Sequence, residues 1–236
     1  MTEKHIVSAF DNDLENIQAH IMKMGGLVEE AITDAAQSFY LRDTGLADKV
    51  RKKDTAIDEL EQLINNEAAT VIALRAPTAI DLRIILSVLK VSANLERIGD
   101  YAKNMAKRTA VLLQMNEIEN AANSLRRLAR EVEDMLSNAL DAYIQRDIEL
   151  AHKVISHDQD VDQMYNGLFR EFLTFMMEDP RNITACMHLH FIAKNIERMG
   201  DHATSIAEQV IFLKTGEIPL EPRNKADTTS RYISEQ

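Results

Sequence analysis

Apolar residues recur at alternating spacings of three and four along most of the chain. This pattern is typical of amphipathic helices that pack nearly parallel to one another. Two adjacent glycines, Gly25 and Gly26, interrupt the first such segment, and we expect a bend or a tight helix crossing there. The apolar positions of this segment, residues 11–41, are Leu14, Ile17, Ile21, Met24, Val28, Ala31, Ala35 and Phe39.

The same periodicity predicts five further helices. Thr78 and Asp81, near the expected start of the third helix, resemble a capping box. The polar stretch 116–123 separates the first three helices from the last three, and the segment from residue 215 onward contains glycine, two prolines and polar residues. The expected ranges are 46–74, 78–115, 124–145, 148–177 and 181–214. We therefore predict an all-α fold of two tandem three-helix bundles, residues 1–116 and 117–215, with a flexible tail over 216–236.

The composition and charge of the chain argue against two classes of protein, those that bind nucleic acids and those that span membranes. The chain is 45% apolar and has a net charge of -11, which argues against binding the phosphate backbone of nucleic acids. Its first residues lack the apolar core of a signal peptide, and no apolar run approaches the ~20 residues of a membrane span. We expect a cytoplasmic protein without direct membrane insertion.

The single cysteine, Cys186, excludes an internal disulfide and a multi-cysteine metal site, and we expect it in the core.

The second half of the chain repeats the first. The second and fifth helices share aligned residues, and the third and sixth helices share the motif Glu-Arg-apolar-Gly-Asp. The aligned residues include Arg42/Arg146, Asp43/Asp147, Leu46/Leu150, Lys49/Lys153, Asp54/Asp158 and Asp58/Asp162, followed by Glu96/Glu197, Arg97/Arg198, Gly99/Gly200 and Asp100/Asp201. We interpret the chain as two three-helix units of one origin.

The repeated residues include carboxylates that form four pairs of one spacing. They are Asp54 with Asp58, Glu96 with Asp100, Asp158 with Asp162, and Glu197 with Asp201. On a helix the members of each pair lie on one face, where like charges destabilise by about 0.2–0.5 kcal/mol. Two such pairs brought together from adjacent helices would repel each other more strongly. A bound cation would offset this repulsion.

Ligands that are all oxygen favour hard ions such as magnesium, calcium, manganese or oxidised iron, and disfavour a structural zinc site. The alternative is a solvated acidic face whose ion-pair partners are Lys53, Arg97 and Arg198. Four aligned copies favour metal binding over this alternative. His202, next to the last carboxylate, could add a nitrogen ligand or be a surface histidine, since its counterpart is Tyr101.

Each copy of the repeated motif also contains a glycine within a predicted helix. Gly99 and Gly200 should each cost roughly 1 kcal/mol relative to alanine. We expect that a Cβ at these positions would block the approach of a neighbouring helix or of a bound ion.

Catalysis gains little support from the sequence, which contains no Gly-rich phosphate loop and no nucleophile with its base. Glu149 and His152 form one ExxH of the kind that di-iron bundle oxidases use in pairs, but no second copy exists. Because a bound metal could activate water, a metal-dependent phosphohydrolase is the rival to a binding protein. A metal-free helical scaffold is the third alternative.

Several segments spread over nearly the whole chain form a recognisable set. They are Phe10, Met24-Gly25-Gly26, Arg75-Ala76-Pro77-Thr78-Ala79-Ile80-Asp81-Leu82-Arg83, Leu95-Glu96-Arg97-Ile98-Gly99-Asp100, Met176-Met177-Glu178-Asp179-Pro180 and Glu197-Arg198-Met199-Gly200-Asp201-His202-Ala203. Together they resemble the PhoU family of bacterial accessory regulators of phosphate uptake. The resemblance implies two three-helix bundles whose E/D-xxx-D pattern can hold multinuclear metal clusters.

The resemblance further implies a homodimer in the cytoplasm that exerts negative control of the phosphate-starvation response. Its implied partners are the ATPase of the phosphate ABC transporter and the membrane sensor histidine kinase. Ser205 departs from the family pattern, because the family often has there the asparagine that Asn104 supplies in the first half. We therefore expect the second metal site to bind more weakly or to hold fewer ions.

Overall fold

Six long helices make up almost all of the chain that the computed structural model describes, which is residues 2–115, 117–217 and Thr229, with side chains from Phe10 onward. The helices are α1 (Thr2–Tyr40), α2 (Thr44–Arg75), α3 (Ile80–Leu112), α4 (Ala121–Gln145), α5 (Ile148–Glu178) and α6 (Ile183–Thr215), with a 3-10 turn at Pro180–Asn182. No strand occurs in these residues. The predicted all-α fold is confirmed.

Two repeated residues start corresponding helices in the two halves. Arg42 and Arg146 both adopt left-handed backbone conformations, with φ of 56° and 54°. The aspartate that follows each arginine caps the next helix: Asp43 Oδ1 accepts a backbone N–H from three residues ahead at 3.0 Å, and Asp147 Oδ1 does so at 3.1 Å. Such a cap satisfies a free donor and places negative charge at the positive end of the helix. The repeated Arg-Asp pair therefore determines where α2 and α5 begin.

The predicted capping box at Thr78 is wrong. α3 begins at Ile80 with Ala79 as its N-cap, and no side chain bonds to the free N–H groups there. Ala76 and Ala79, on either side of Pro77, both have a positive φ of 48°, so the chain turns sharply before the helix starts. Thr78 belongs to this turn, and only its backbone carbonyl accepts from Asp81 N–H, at 3.1 Å.

Other predicted boundaries also shift. α1 begins at Thr2, well before residue 11, and α4 begins at Ala121, inside the stretch expected to be polar linker. Most of the predicted tail, residues 216–236, lies outside the described residues.

The helices pack as two groups of three, α1 to α3 and α4 to α6, and the groups pack on each other through α3 with α6 and α1 with α4. α3 and α6 run antiparallel: Lys90 lies 5.9 Å from the Phe212 ring, and Arg108 lies 4.4 Å from the Phe191 ring. One apolar cluster spans both groups and includes the fully buried Cys186. The division into two domains after residue 116 stays a prediction. None of the helices in the described residues is long and apolar enough to cross a membrane.

The tight crossing expected at the glycine pair lies between the two groups. A Cβ built at Gly25 would lie 2.6 Å from Leu140 Cδ1 of α4, whereas a Cβ at Gly26 would meet nothing within 4 Å. Gly25 therefore allows α1 to approach α4 closely, and Gly26 has no such role.

These two neighbouring positions give a matched pair of substitutions. Gly26→Ala should raise the free energy of unfolding by roughly 1 kcal/mol, because alanine has the higher helix propensity and the methyl group meets open space. Gly25→Ala should give a smaller gain or a loss, because its methyl group must displace buried Leu140. Urea unfolding followed by circular dichroism measures both variants. Equal gains would contradict a close approach of α1 to α4 at Gly25.

Candidate metal centre

The structure brings together the two carboxylate pairs of the first half, and we call these four side chains the first quartet. Asp54 and Asp58 lie on α2, and Glu96 and Asp100 lie on α3. The two helices approach closely at Gly99, where an added Cβ would lie 3.9 Å from Asp54 Oδ1. Asp54 is buried, with an exposed fraction of 4%, and the other three carboxylates are half-buried.

A lysine that the carboxylate pattern did not predict lies within the first quartet. Lys103 Nζ donates to Asp54 Oδ2 and lies 3.6 Å from Asp100 Oδ1. The other oxygen of the buried aspartate, Asp54 Oδ1, has no hydrogen-bond partner. Lys103 follows Asp100 by three residues and so shares its helix face. The internal repeat concealed this signal, because the counterpart of Lys103 in the second half is Thr204.

The second quartet consists of Asp158 and Asp162 on α5 with Glu197 and Asp201 on α6. Three of its members are buried, Glu197 most deeply at 2% exposure, and Asp201 is half-buried. Lys194 Nζ donates to Glu197 Oε1 at 2.9 Å, while Glu197 Oε2 is buried and lacks a hydrogen-bond partner. Each quartet thus combines a lysine ammonium with one buried carboxylate oxygen that is not satisfied.

The burial of Asp54, Asp158, Asp162 and Glu197 argues against a fully solvated acidic face, although Asp58, Glu96, Asp100 and Asp201 are only half-buried. Of the expected ion-pair partners, Arg97 lies 3.5 Å from Glu96 and 3.8 Å from Asp100.

The other two expected partners lie elsewhere. Lys53 pairs with Glu30 of α1, and Arg198 lies 5.9 Å from the ring of Tyr101. His202 is half-buried, and a role as a nitrogen ligand stays a prediction. It donates from Nδ1 to Asn94 Oδ1 at 2.7 Å, and so joins α6 to α3.

The two repeated glycines differ in their surroundings. A Cβ at Gly99 would lie 3.0 Å from Ile57 Cδ1, so the expected close helix approach is present. A Cβ at Gly200 would lie no nearer than 3.5 Å to its neighbour Val161, which is ordinary van der Waals contact. At these glycines α2 and α3 therefore approach more closely than α5 and α6, and the expectation that a Cβ at Gly200 would block a neighbouring helix is wrong.

Each quartet contains one glutamate with a strongly raised pKa. Burial and then the charge of Asp100 raise the pKa of Glu96 to about 7, against the opposing charge of Arg97. Burial also raises the pKa of Glu197 to about 7; the Lys194 ammonium opposes this rise, and the charges of Asp201 and Asp162 add to it. Both quartets therefore exchange a proton near neutral pH.

The donor chemistry fits hard cations, because every candidate ligand is a carboxylate and each quartet holds a buried oxygen without a partner. The arrangement itself is not that of a complete ion site: within the described residues, no three His, Cys, Asp or Glu side chains are placed to hold one metal ion. Lys103 and Lys194 supply the positive charge instead. A cation would therefore have to compete with these two ammonium groups.

The raised pKa of Glu197 predicts how the free energy of unfolding depends on pH when a chelator keeps metal ions away from the quartets. A carboxyl whose pKa is higher in the folded chain than its ordinary 4.5 binds more protons when folded. Its stabilising effect is complete below pH 4.5 and is lost as the pH rises through about 7. Glu197→Gln should flatten this fall in the free energy of unfolding, measured by urea titrations in EDTA at a series of pH values. The exposed Glu178→Gln is the control, and an unchanged slope in Glu197→Gln would contradict the assignment.

Comparison with known proteins places the chain in a family. The PhoU domain family matches residues 21–109 and 125–210, one match in each half. The phosphate-specific transport system accessory protein PhoU homolog of Rhizobium meliloti is 44% identical over 98% of this chain and 97% of its own length. The Xylella fastidiosa homolog of the same name is 46% identical over 96% of this chain and 95% of its own length.

Two solved structures share the fold. The crystal structure of PhoU from Pseudomonas aeruginosa is 39% identical, with a TM-score of 0.85 over 88% of this chain and 100% of that chain. The phosphate transport system regulatory protein PhoU from Streptococcus pneumoniae is 27% identical, with a TM-score of 0.82 over 89% of this chain and 98% of that chain. With both repeats matched, near-complete coverage and the same helical architecture, this chain belongs to the PhoU family.

Proposed function

We propose that this chain is a cytoplasmic accessory protein of a phosphate-specific transport system and a negative regulator of the phosphate-starvation response. In this proposal it contacts the ATPase subunit of the phosphate ABC transporter and the sensor histidine kinase, and biases both toward their phosphate-replete states. It acts as a homodimer. The observation that carries the proposal is the 44% identity, over 98% of this chain, with a relative named as an accessory protein of that transport system.

The burial of the quartets favours recognition over catalysis. A metal-dependent phosphohydrolase needs a metal with an open position that substrate and water can reach. Asp54 and Glu197 are 4% and 2% exposed, and a lysine ammonium contacts each of them. A phosphoester has no access to these two side chains in this arrangement, and only the half-buried Asp58, Glu96, Asp100 and Asp201 face water. Long helix faces, in contrast, are surfaces on which a partner protein can dock.

We propose in addition that the two quartets bind metal ions, with iron, manganese or magnesium as candidates. Asp54, Asp58, Glu96 and Asp100 would hold the first site, and Asp158, Asp162, Glu197 and Asp201 the second. A bound cation would supply charge neutralisation at each quartet. The two carboxylate oxygens without hydrogen-bond partners support this proposal.

Metal binding can be measured independently of any activity. We expect elemental analysis of protein purified without chelator or histidine tag to find a bound ion, and added manganese to raise the melting temperature by linkage. Asp54→Asn with Asp100→Asn should abolish binding at the first site. Lys103→Met should tighten it, because the cation no longer competes with an ammonium group. Lys107→Met is the matched control, since Lys107 lies one turn further along α3 and donates to Asn104.

Two results together would contradict metal binding: purified protein that contains none of these ions, and a melting temperature that stays constant when each ion is added. The metal-free helical scaffold would then be the remaining alternative. Equal effects of Lys103→Met and Lys107→Met would show that any bound ion responds to net charge alone, not to the first quartet.

The adaptor proposal predicts binding without turnover. We expect saturable association of the purified chain with the transporter ATPase subunit or with the cytoplasmic part of the sensor kinase, measured by biolayer interferometry. We expect no hydrolysis of a generic phosphoester in the presence of manganese. Turnover that Asp100→Ala abolishes would instead establish the phosphohydrolase. Sedimentation velocity of the same preparation tests the homodimer.

A further inference from the structure

A groove of about 460 Å³ lies between the C-terminal part of α1 and the N-terminal half of α4. It is separate from both quartets, which lie between α2 and α3 and between α5 and α6. Tyr40 and Thr33 line it from α1, and Arg126, Arg130 and Glu133 line it from α4. The groove thus combines two cationic side chains, one aromatic ring and one carboxylate.

Neither arginine of the groove is paired with a carboxylate in the described residues. Within the described part of the chain, no carboxylate oxygen lies within 4.0 Å of Arg126 or Arg130. Many other cationic side chains have such a partner, for example Lys49, Arg75 and Lys103. In a chain with a net charge of -11, acidic partners are abundant. What distinguishes Arg126 and Arg130 is that both border one groove, where two guanidinium groups without a carboxylate partner can receive an external anion.

The geometry of the pair suits an anion with several phosphate groups. Residues four apart lie on one helix face with about 5–6 Å between their Cβ atoms, so both guanidinium groups can reach one extended ligand. The Arg126 guanidinium carbon lies 3.9 Å from the Tyr40 ring centroid. This stacking orders the side chain over the ring face, while the planar fork of N–H donors at its edge stays available to phosphate oxygens.

The rest of the groove suits an organic group. Its lining includes the buried methyl groups of Ala36 and Ala129, and its volume lies within the roughly 300–1,000 Å³ of small-molecule sites, so inorganic phosphate would fill only a small part. Glu133 Oε1 accepts from Thr33 Oγ1 at 2.7 Å. A carboxylate here repels phosphate but accepts hydrogen bonds from sugar hydroxyls, about one turn along α4 from Arg130.

We propose that this groove binds a nucleoside di- or triphosphate, with its phosphates on Arg126 and Arg130 and its nucleoside over the apolar part of the groove. The inference does not depend on the proposed function or on metal at the quartets. It gives the chain a binding site for a small phosphorylated molecule at the junction of its two helix groups.

Isothermal titration of the full chain with ATP and ADP tests the proposal, in EDTA so that ions at the quartets do not contribute. We expect saturable binding that Arg126→Ala and Arg130→Ala each weaken by roughly tenfold or more, because each removes charge-assisted hydrogen bonds. Arg127→Ala is the matched control. It removes the same charge from the same helix, but Arg127 lies on another face, where it donates to Ser124 Oγ at 3.2 Å. This variant should bind ATP as the unmodified chain does.

Two further ligands, tripolyphosphate and adenosine, measure the contributions of the phosphates and of the nucleoside separately. Tripolyphosphate, which has the phosphates alone, should bind more weakly than ATP, and adenosine should bind more weakly still. Arg126→Lys keeps the charge but loses the planar fork, and serves as a second variant if Arg126→Ala lowers the melting temperature. No saturable binding of ATP or ADP at millimolar concentration would overturn the proposal. Equal weakening by Arg127→Ala and Arg126→Ala, or equal affinity for tripolyphosphate and ATP, would overturn it as well.

Discussion

The burial of carboxylates between paired helices is the constraint around which this molecule is arranged. Asp54 on α2 and Glu197 on α6 are nearly inaccessible to water, and each is within reach of further carboxylates. Burial of a charged group is costly unless an opposite charge or hydrogen bonds compensate it. The structure compensates with one lysine per quartet and with glutamates whose raised pKa allows them to accept a proton. Both responses are partial, because one carboxylate oxygen in each quartet remains without a partner.

The two halves have equivalent carboxylates but compensate their buried charge in different ways. In the first half Lys103 follows the Glu-xxx-Asp motif on α3, and in the second half Lys194 precedes it on α6. The helices also approach more closely at Gly99 than at Gly200. The first quartet therefore combines a closer helix approach at its glycine with an ammonium group between Asp54 and Asp100.

The two helix groups meet along two helix pairs, α3 with α6 and α1 with α4. α3 lies along α6, where His202 bonds to Asn94, and α1 crosses α4 at Gly25. Beyond that crossing the two helices border the groove that contains Arg126 and Arg130. Because the groove is formed by one helix from each group, a ligand there would contact both groups at once. The quartets, in contrast, each belong to one group alone.

The sequence by itself determined the six helices, the all-α class and the pairing of carboxylates, because helical periodicity and the internal repeat are both local properties of the chain. It also placed Cys186 in the core correctly. The sequence predicted the first residues of the helices less well, because a turn around Pro77 takes the place of the capping box expected at Thr78. Only the tertiary structure decided which lysine meets each quartet, how deeply each carboxylate is buried, and which cationic side chains lack an acidic partner. These properties depend on distances between residues far apart in the chain, and on exclusion of water by neighbouring helices, which no spacing within one helix encodes.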